Sequence, residues 1–396
     1  MRITYLADIR FPLDRANGIQ TIETCYALAE RGHEVRLVVR PDTVRPPRDP
    51  FAFYGLAPHP AVRIDRVRVA GPQAARRAAY VAQALAAVAR ARGHADVVMT
   101  RDLSVASLAL RLPRATRPPI VYESHGLAPV FAATRGELLS GAAPEPPAKI
   151  RRLAARDARV WRLADGYVTI TAGLARDLVE RFGARTETAV VPDGVRLDPD
   201  RRFALPERPG PPVVAYAGHL YPWKGVDILL HALALVPGAH GVVVGGHPAE
   251  IDLARLRALA ASLGVDARVR FTGFLPRSAV PAELDRADVL AMPHTATPVS
   301  ERYASPLKLF EYMAAGRPIV ASDLAAVREV LRDGENACLV KAGDPAALAA
   351  GLARVIGDRA FAERIARGAF NEAPAYTWAR RAERLERVLA AAAAGA

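Results

Sequence analysis

The sequence predicts an α/β protein built from two doubly wound, Rossmann-like domains in succession. Three observations carry that expectation. Short apolar runs alternate with segments of helical periodicity through the first half. The same alternation restarts in the second half. Between them lies Leu205-Pro206-Glu207-Arg208-Pro209-Gly210-Pro211-Pro212, a stretch whose prolines fix φ and make a semi-rigid linker. The expected boundaries are 1–204, a linker at 205–212, 213–375, and a last helix in 376–396 that crosses back to the first domain.

Taken in order, Ile3–Ala7 is an apolar run that reads as a strand within residues 2–9. A loop ends at Asn17-Gly18, and a helix through Ala27–Glu30 stops at Arg31-Gly32. The strand Glu34–Val39 completes a βαβ unit. A helix from Gln73 to Arg92 follows, with strands at Val97–Thr100, Ile120–Tyr122, Gly166–Ile170 and Thr188–Pro192. No motif can be read in residues 40–80 or 126–150. Beyond the linker, strands are expected at Val213–Ala217, Gly241–Val244, Val269–Phe271, Val289–Met292, Pro318–Ala321 and Ala337–Val340. Helices are expected at Gly225–Val236, Ala254–Leu263 and Pro306–Ala315. Asp344-Pro345 opens another, because a capping carboxylate precedes a proline at the first helical position. Tyr376–Ala394 forms the last helix. Doubly wound sheets bind ligands at the carboxyl ends of their strands, so a cleft between the domains is the expected site.

Composition narrows the function classes. With 51% hydrophobic and 6% aromatic residues, the core is made of Ala, Leu and Val, and disorder is excluded. No apolar run reaches the ~18 residues of a membrane span. The opening residues meet a charge too early for a signal peptide. Cys25 and Cys338 are isolated and read as buried thiols of a reducing compartment, so a cytoplasmic location is expected. The net charge of +13 calls for an anionic partner or an Arg-rich solvated exterior. No basic tract is interleaved with aromatic residues, so nucleic acid is not the expected partner. Lys149–Leu163 has the pattern of a basic amphipathic helix. It suits peripheral contact with an anionic membrane, or equally an ordinary helix whose apolar stripe faces the core.

The chain has no metal-ligand spacing, GxSxG elbow or P-loop, and its first βα turn lacks GxGxxG, so neither a metal nor a cofactor is expected. The informative signal is lysine. Of 54 basic residues only Lys149, Lys224, Lys308 and Lys341 are lysines, so the survivors mark places where a compact ammonium has a use that arginine cannot fill. Lys224 lies in Gly218-His219-Leu220-Tyr221-Pro222-Trp223-Lys224-Gly225, where it and His219 present positive charge before a helix and can grip a diphosphate. Lys308 lies in Ser305-Pro306-Leu307-Lys308, a helix start whose free N–H groups suit a phosphate. Glu311, three residues on, can accept hydrogen bonds from a ribose. His125, at a strand end, can bind a sugar hydroxyl. Gly18, in the first βα turn, allows a backbone to approach a ligand closely.

Together these segments resemble the GT-B glycosyltransferases of the group 1 type, glycosyltransferase family 4. The resemblance covers almost the whole chain. It includes Leu28–Val35, Val191-Pro192-Asp193-Gly194-Val195, Gly218 with Lys224–Asp227, Arg268–Phe274, Ala287–Val289 and Phe310–Ala321. It implies a retaining, metal-independent transferase that uses a nucleotide-sugar as substrate, with an unknown acceptor. Lys224 and His219 would hold the pyrophosphate and Glu311 the ribose, with Lys224, His125 and Glu311 nearest the chemistry. Two departures stand out. Histidine occupies position 219, where the family has arginine, which makes one member of the grip proton-dependent. The earlier glutamate of the family's pair falls at Tyr303, with Glu301 two residues out of register. A nucleotide-sugar epimerase and a basic nucleic-acid-binding protein are the alternatives.

Overall fold

A computed structural model describes residues 1–186, 188–205, 209–246 and 251–395. Two compact units emerge. The first comprises Met1–Pro129, Pro146–Gly194 and Trp378–Ala396, and the second Val130–Glu145 and Val195–Thr377. The chain therefore changes unit at Gly194-Val195, ahead of the proline-rich stretch, and residues 206–208 of that stretch lie outside the described residues. The segment Val130–Glu145, which carried no readable motif, belongs to the second unit.

The first unit holds a seven-stranded sheet. Its strands are β1 (Arg2–Arg10), β2 (Glu34–Arg40), β3 (Val62–Arg66), β4 (Val97–Thr100), β5 (Ile120–Ser124), β6 (Gly166–Thr169) and β7 (Thr188–Val190). They are ordered β3-β2-β1-β4-β5-β6-β7 and every pairing is parallel. The order reverses between β1 and β4, which opens a crevice at their carboxyl ends. Strand β5 runs two residues past the expected end, so Glu123 lies in the strand and is fully buried.

The second unit repeats the plan with β8 (Val213–Ala217), β9 (His240–Val244), β10 (Val269–Gly273), β11 (Val289–Met292), β12 (Ile319–Ser322) and β13 (Cys338–Val340). They are ordered β10-β9-β8-β11-β12-β13, again all parallel, with the reversal between β8 and β11. Period-two alternation divides the side chains between two cores. Val214, Tyr216, Val289 and Ala291 enter one, while Ala215, Ala217, Leu290 and Met292 enter the other. Burial on both faces explains why these strands read as continuous apolar runs.

Helix ends follow local chemistry. Asp344 caps Pro345–Gly357 by accepting from the Ala346 and Ala347 amides. The last helix starts at Trp378, after a 3-10 turn at Ala373–Tyr376. It packs along the helix Ala16–Glu30 and against β6 within the first unit. The basic helix is Pro147–Leu163. Val160 and Trp161 are buried, and Trp161 donates to the Gly183 carbonyl at 3.0 Å. Arg156 and Arg159 donate to Ser104 and Ser107. Its apolar stripe is thus largely turned into the protein, while Arg151 and Arg152 stay exposed. Among the described residues no helix is long and apolar enough to cross a membrane.

Candidate functional site

In the second unit the site grows from the turn after β8. Gly218 donates to the Val244 carbonyl at 2.8 Å, and the Tyr216 hydroxyl donates to the His219 carbonyl at 2.5 Å. The His219 ring stacks on Tyr221, with centroids 5.0 Å apart. A 3-10 turn, Pro222–Lys224, then leads to Gly225 at φ 68°, from which the helix Val226–Ala234 starts. Glycine is required at 225 twice over: φ is left-handed, and a Cβ would lie 1.8 Å from the Pro293 carbonyl oxygen. That contact, with the Thr295 amide donating to the Trp223 carbonyl at 3.0 Å, fixes the loop after β8 to the loop after β11.

Lys224 is half-buried, its ammonium 3.5 Å from the centre of the Trp223 ring. Burial brings its pKa down to about 7. Lys308 opens the helix Leu307–Ala315 and is buried, its Nζ 3.6 Å from the centre of the Tyr216 ring. A Cβ at Gly218 would come within 2.8 Å of that Nζ, so the bare glycine is what admits the ammonium. Burial, then the charge of Lys224, holds Lys308 well below the usual lysine range, with Glu311 opposing them. Between the loops sits His294, fully buried, its ring 5.3 Å from that of Trp223. Burial, then Lys224, then Lys308 keep it well below the ordinary histidine value. The Lys308 ammonium and both His294 ring nitrogens have no hydrogen-bond partner among the described residues. Buried polar atoms without partners cost stability, and a ligand that supplies acceptors removes the cost.

The helix Leu307–Ala315 has Pro306 at its cap position and no side-chain cap, with Ser305 half-buried beside it. Its first-turn amides and the positive end of its dipole add to the same anion-seeking field. Glu311, half-buried, has Oε1 3.8 Å from Arg277 Nη2. Glu301 accepts from the Ala325 amide at 3.4 Å, which turns its carboxylate to the helix Ala325–Arg328. Tyr303 is buried. Lys224, Lys308 and Gly218 are thus brought together. His294 and Arg277 had no place in the sequence reading. His294 stands two residues past the end of β11, and nothing local to the sequence singles it out.

In the first unit the candidate groups meet around Glu123. Its Oε1 accepts from the Gln20 amide at 2.6 Å and from His125 Nε2, and is ion-paired with Arg381 Nη2 at 2.7 Å. Arg101 donates to Gln20 Oε1 at 2.9 Å. Burial alone would raise Glu123, but Arg381, His125 and Arg101 together bring it down to about 2. Burial, then Arg101, lowers His125, against the pull of Glu123. Donation from Nε2 to the carboxylate leaves Nδ1 as the acceptor nitrogen of a neutral ring. Gly18 is buried, and a Cβ there would come within 2.5 Å of the Leu13 carbonyl oxygen and 2.6 Å of the Tyr54 hydroxyl. The space its missing side chain leaves is filled by the protein itself, so packing alone already requires glycine there. Among the described residues, no three His, Cys, Asp or Glu side chains cluster as metal ligands do.

Known proteins match this arrangement. Residues 18–194 match the family described as glycosyl transferase 4-like domain, and residues 211–358 that described as glycosyl transferases group 1. A D-inositol 3-phosphate glycosyltransferase of Nocardia farcinica is 31% identical over 394 residues, covering 93% of this chain and 83% of its own. Among solved structures, sucrose-phosphate synthase from Thermosynechococcus elongatus superposes with a TM-score of 0.78 at 19% identity, covering all of both chains. Anabaena Alr3699/HepE in complex with UDP and glucose superposes at 0.74 and 19% identity, over 98% of this chain and 99% of its own.

Proposed function

Since this chain belongs to the group 1 glycosyltransferases and has the GT-B fold, we propose that it moves a hexosyl group from a nucleoside diphosphate sugar to an acceptor hydroxyl, with retained anomeric configuration and without a metal. The observation that carries the donor class is the convergence of Lys224, Lys308 and His294, for which Glu311 is the carboxylate that acts among the described residues. A diphosphate supplies the missing negative charge. As the glycosidic bond breaks, charge grows on the leaving phosphate, and preorganised cations there stabilise the transition state more than the ground state. The departing phosphate takes the acceptor's proton, so no side-chain nucleophile is needed. In this reading Glu311 holds the ribose, and the His219 loop and the amides of Ser305–Lys308 line the phosphates. His125, neutral, offers its acceptor nitrogen to a sugar hydroxyl. With the chain a glycosyltransferase, the epimerase and nucleic-acid readings drop out.

The assay pairs UDP-, GDP- and ADP-sugars with D-inositol 3-phosphate, the acceptor named for the relatives, and reads the anomeric configuration of the product by proton NMR. Glu311→Gln should weaken UDP binding about 10- to 100-fold by calorimetry, because hydrogen bonds to a charged group are worth roughly 1.5–3 kcal/mol. Unchanged affinity would return Glu311 to an ordinary helix surface.

We also place the enzyme in the cytoplasm, in touch with an anionic membrane. The support is the +13 charge and the exposed Arg151 and Arg152. Vesicles containing anionic lipid should pellet it at low salt, and Arg151→Gln with Arg152→Gln should reduce pelleting. Equal pelleting with neutral vesicles, or none, would remove the membrane from this reading.

A further inference from the structure

His294 is the residue for which the fold itself has no use. It is fully buried, yet neither ring nitrogen has a partner among the described residues, in a site where Lys308 Nζ is likewise unpartnered. It stands at the reversal of strand order, in the loop after β11 that is fixed to the Lys224 loop through Gly225 and Trp223. Lys224 from the 3-10 turn and Lys308 from the helix Leu307–Ala315 act on its ring, and Glu311 acts in turn on Lys308 and lies 3.8 Å from Arg277, in the turn after β10. His219 belongs to the loop after β8, stacked on Tyr221. Among the described residues the carboxylate that acts on the group, Glu311, is shared with Arg277. Three basic groups therefore crowd one another with too little negative charge to keep all of them protonated.

Resting on the nucleotide-sugar reading, we propose that His294 completes with Lys308 the diphosphate grip begun by Lys224, and that this grip takes up protons from solvent as the diphosphate enters. His294 is fully buried with both ring nitrogens unpartnered among the described residues, so an anion held nearby acts on it through a poorly hydrated interior and favours its protonated form. An entering diphosphate brings at least two negative charges into a poorly hydrated site, where Coulomb energies are largest, and it favours the protonated form of every basic group there. The shifts run the same way: burial lowers all three groups, Lys224 to about 7, so near pH 8 protons remain to be gained. Proton uptake then follows from linkage, since the ligand binds the charged form better than the neutral one. Donor affinity falls as pH rises through this range.

The test is calorimetric titration of the full chain with UDP near pH 8, in HEPES and in Tris, whose ionisation enthalpies differ. The slope of binding enthalpy against buffer ionisation enthalpy counts the protons taken up. The expected result is uptake of about one proton or more with UDP and none with uridine. His294→Gln should bind UDP about tenfold more weakly at neutral pH and take up fewer protons. Lys308→Met gives an independent reduction, and the wild-type buffer comparison needs no variant at all. UDP binding without uptake, or with uptake unchanged in both variants, overturns this inference alone. Failure of UDP, GDP and ADP to bind overturns the nucleotide-sugar reading, and this inference with it.

Discussion

Replacing Lys224 with alanine is expected to lower kcat/KM by about 10²–10³-fold with the fold intact, the loss seen when one preorganised charge is removed from a developing anion. The ammonium lies over the Trp223 ring and is bonded to no carboxylate among the described residues, so its removal strands no buried partner there. Thermal unfolding should therefore hardly move, or shift upward as the cost of burying the charge disappears. Lys224→Arg should also be impaired. A planar guanidinium is larger than an ammonium and cannot occupy the same point over the Trp223 ring. An alanine variant with full turnover and full UDP affinity would end the assignment of Lys224 to the phosphates.

The largest effect on stability is expected from Arg381→Met. Arg381 is buried, ion-paired to Glu123 at 2.7 Å, and donates to the Val191 and Pro192 carbonyls at 2.8 and 2.9 Å. Its Nε donates to Thr24 Oγ1 at 3.2 Å. Removing one partner of a buried ion pair costs roughly 3–5 kcal/mol, because the other charge stays in a low-dielectric site. For a unit of this size that is roughly 10 °C or more in Tm. Adding Glu123→Gln removes the stranded charge, so the double variant should unfold at a higher temperature than Arg381→Met alone. A single variant within about 1 °C of wild type, or a double variant no better than the single, would show that the pair is not what holds the last helix. Because Glu123 also receives His125, the same substitution should disturb that ring. A loss of turnover beyond the loss of folded protein is expected.

Both residues show how far the sequence reads. Val289–Met292 was legible to the residue because a strand buried on both faces must be apolar throughout. Strand β3, Val62–Arg66, was missed because Arg63, Asp65 and Arg66 break the apolar run of a half-exposed edge strand. The helix Arg359–Glu372 was missed as well, although Phe361, Ile365, Ala366 and Ala369 keep helical spacing. Lys224 and Lys308 were legible for a compositional reason: where arginine is the default, a retained lysine is conspicuous.

His294 and Arg381 were not legible. Arg381 is one of many arginines in an amphipathic helix, and nothing local says that its head is buried 357 residues from the Thr24 it touches. His294 gains its meaning only when parallel pairing sets β11 beside β8 and brings its loop against Gly225. The sequence by itself determined what periodicity and turn chemistry encode: alternating strands and helices, two repeated units, the capped helix at Asp344, and the rare lysines before helices. The tertiary structure alone decided which strand ends are neighbours, which charges lose their water, and which buried groups are left without a partner. Those are properties of non-local contacts and of burial, and they set the electrostatics of the site.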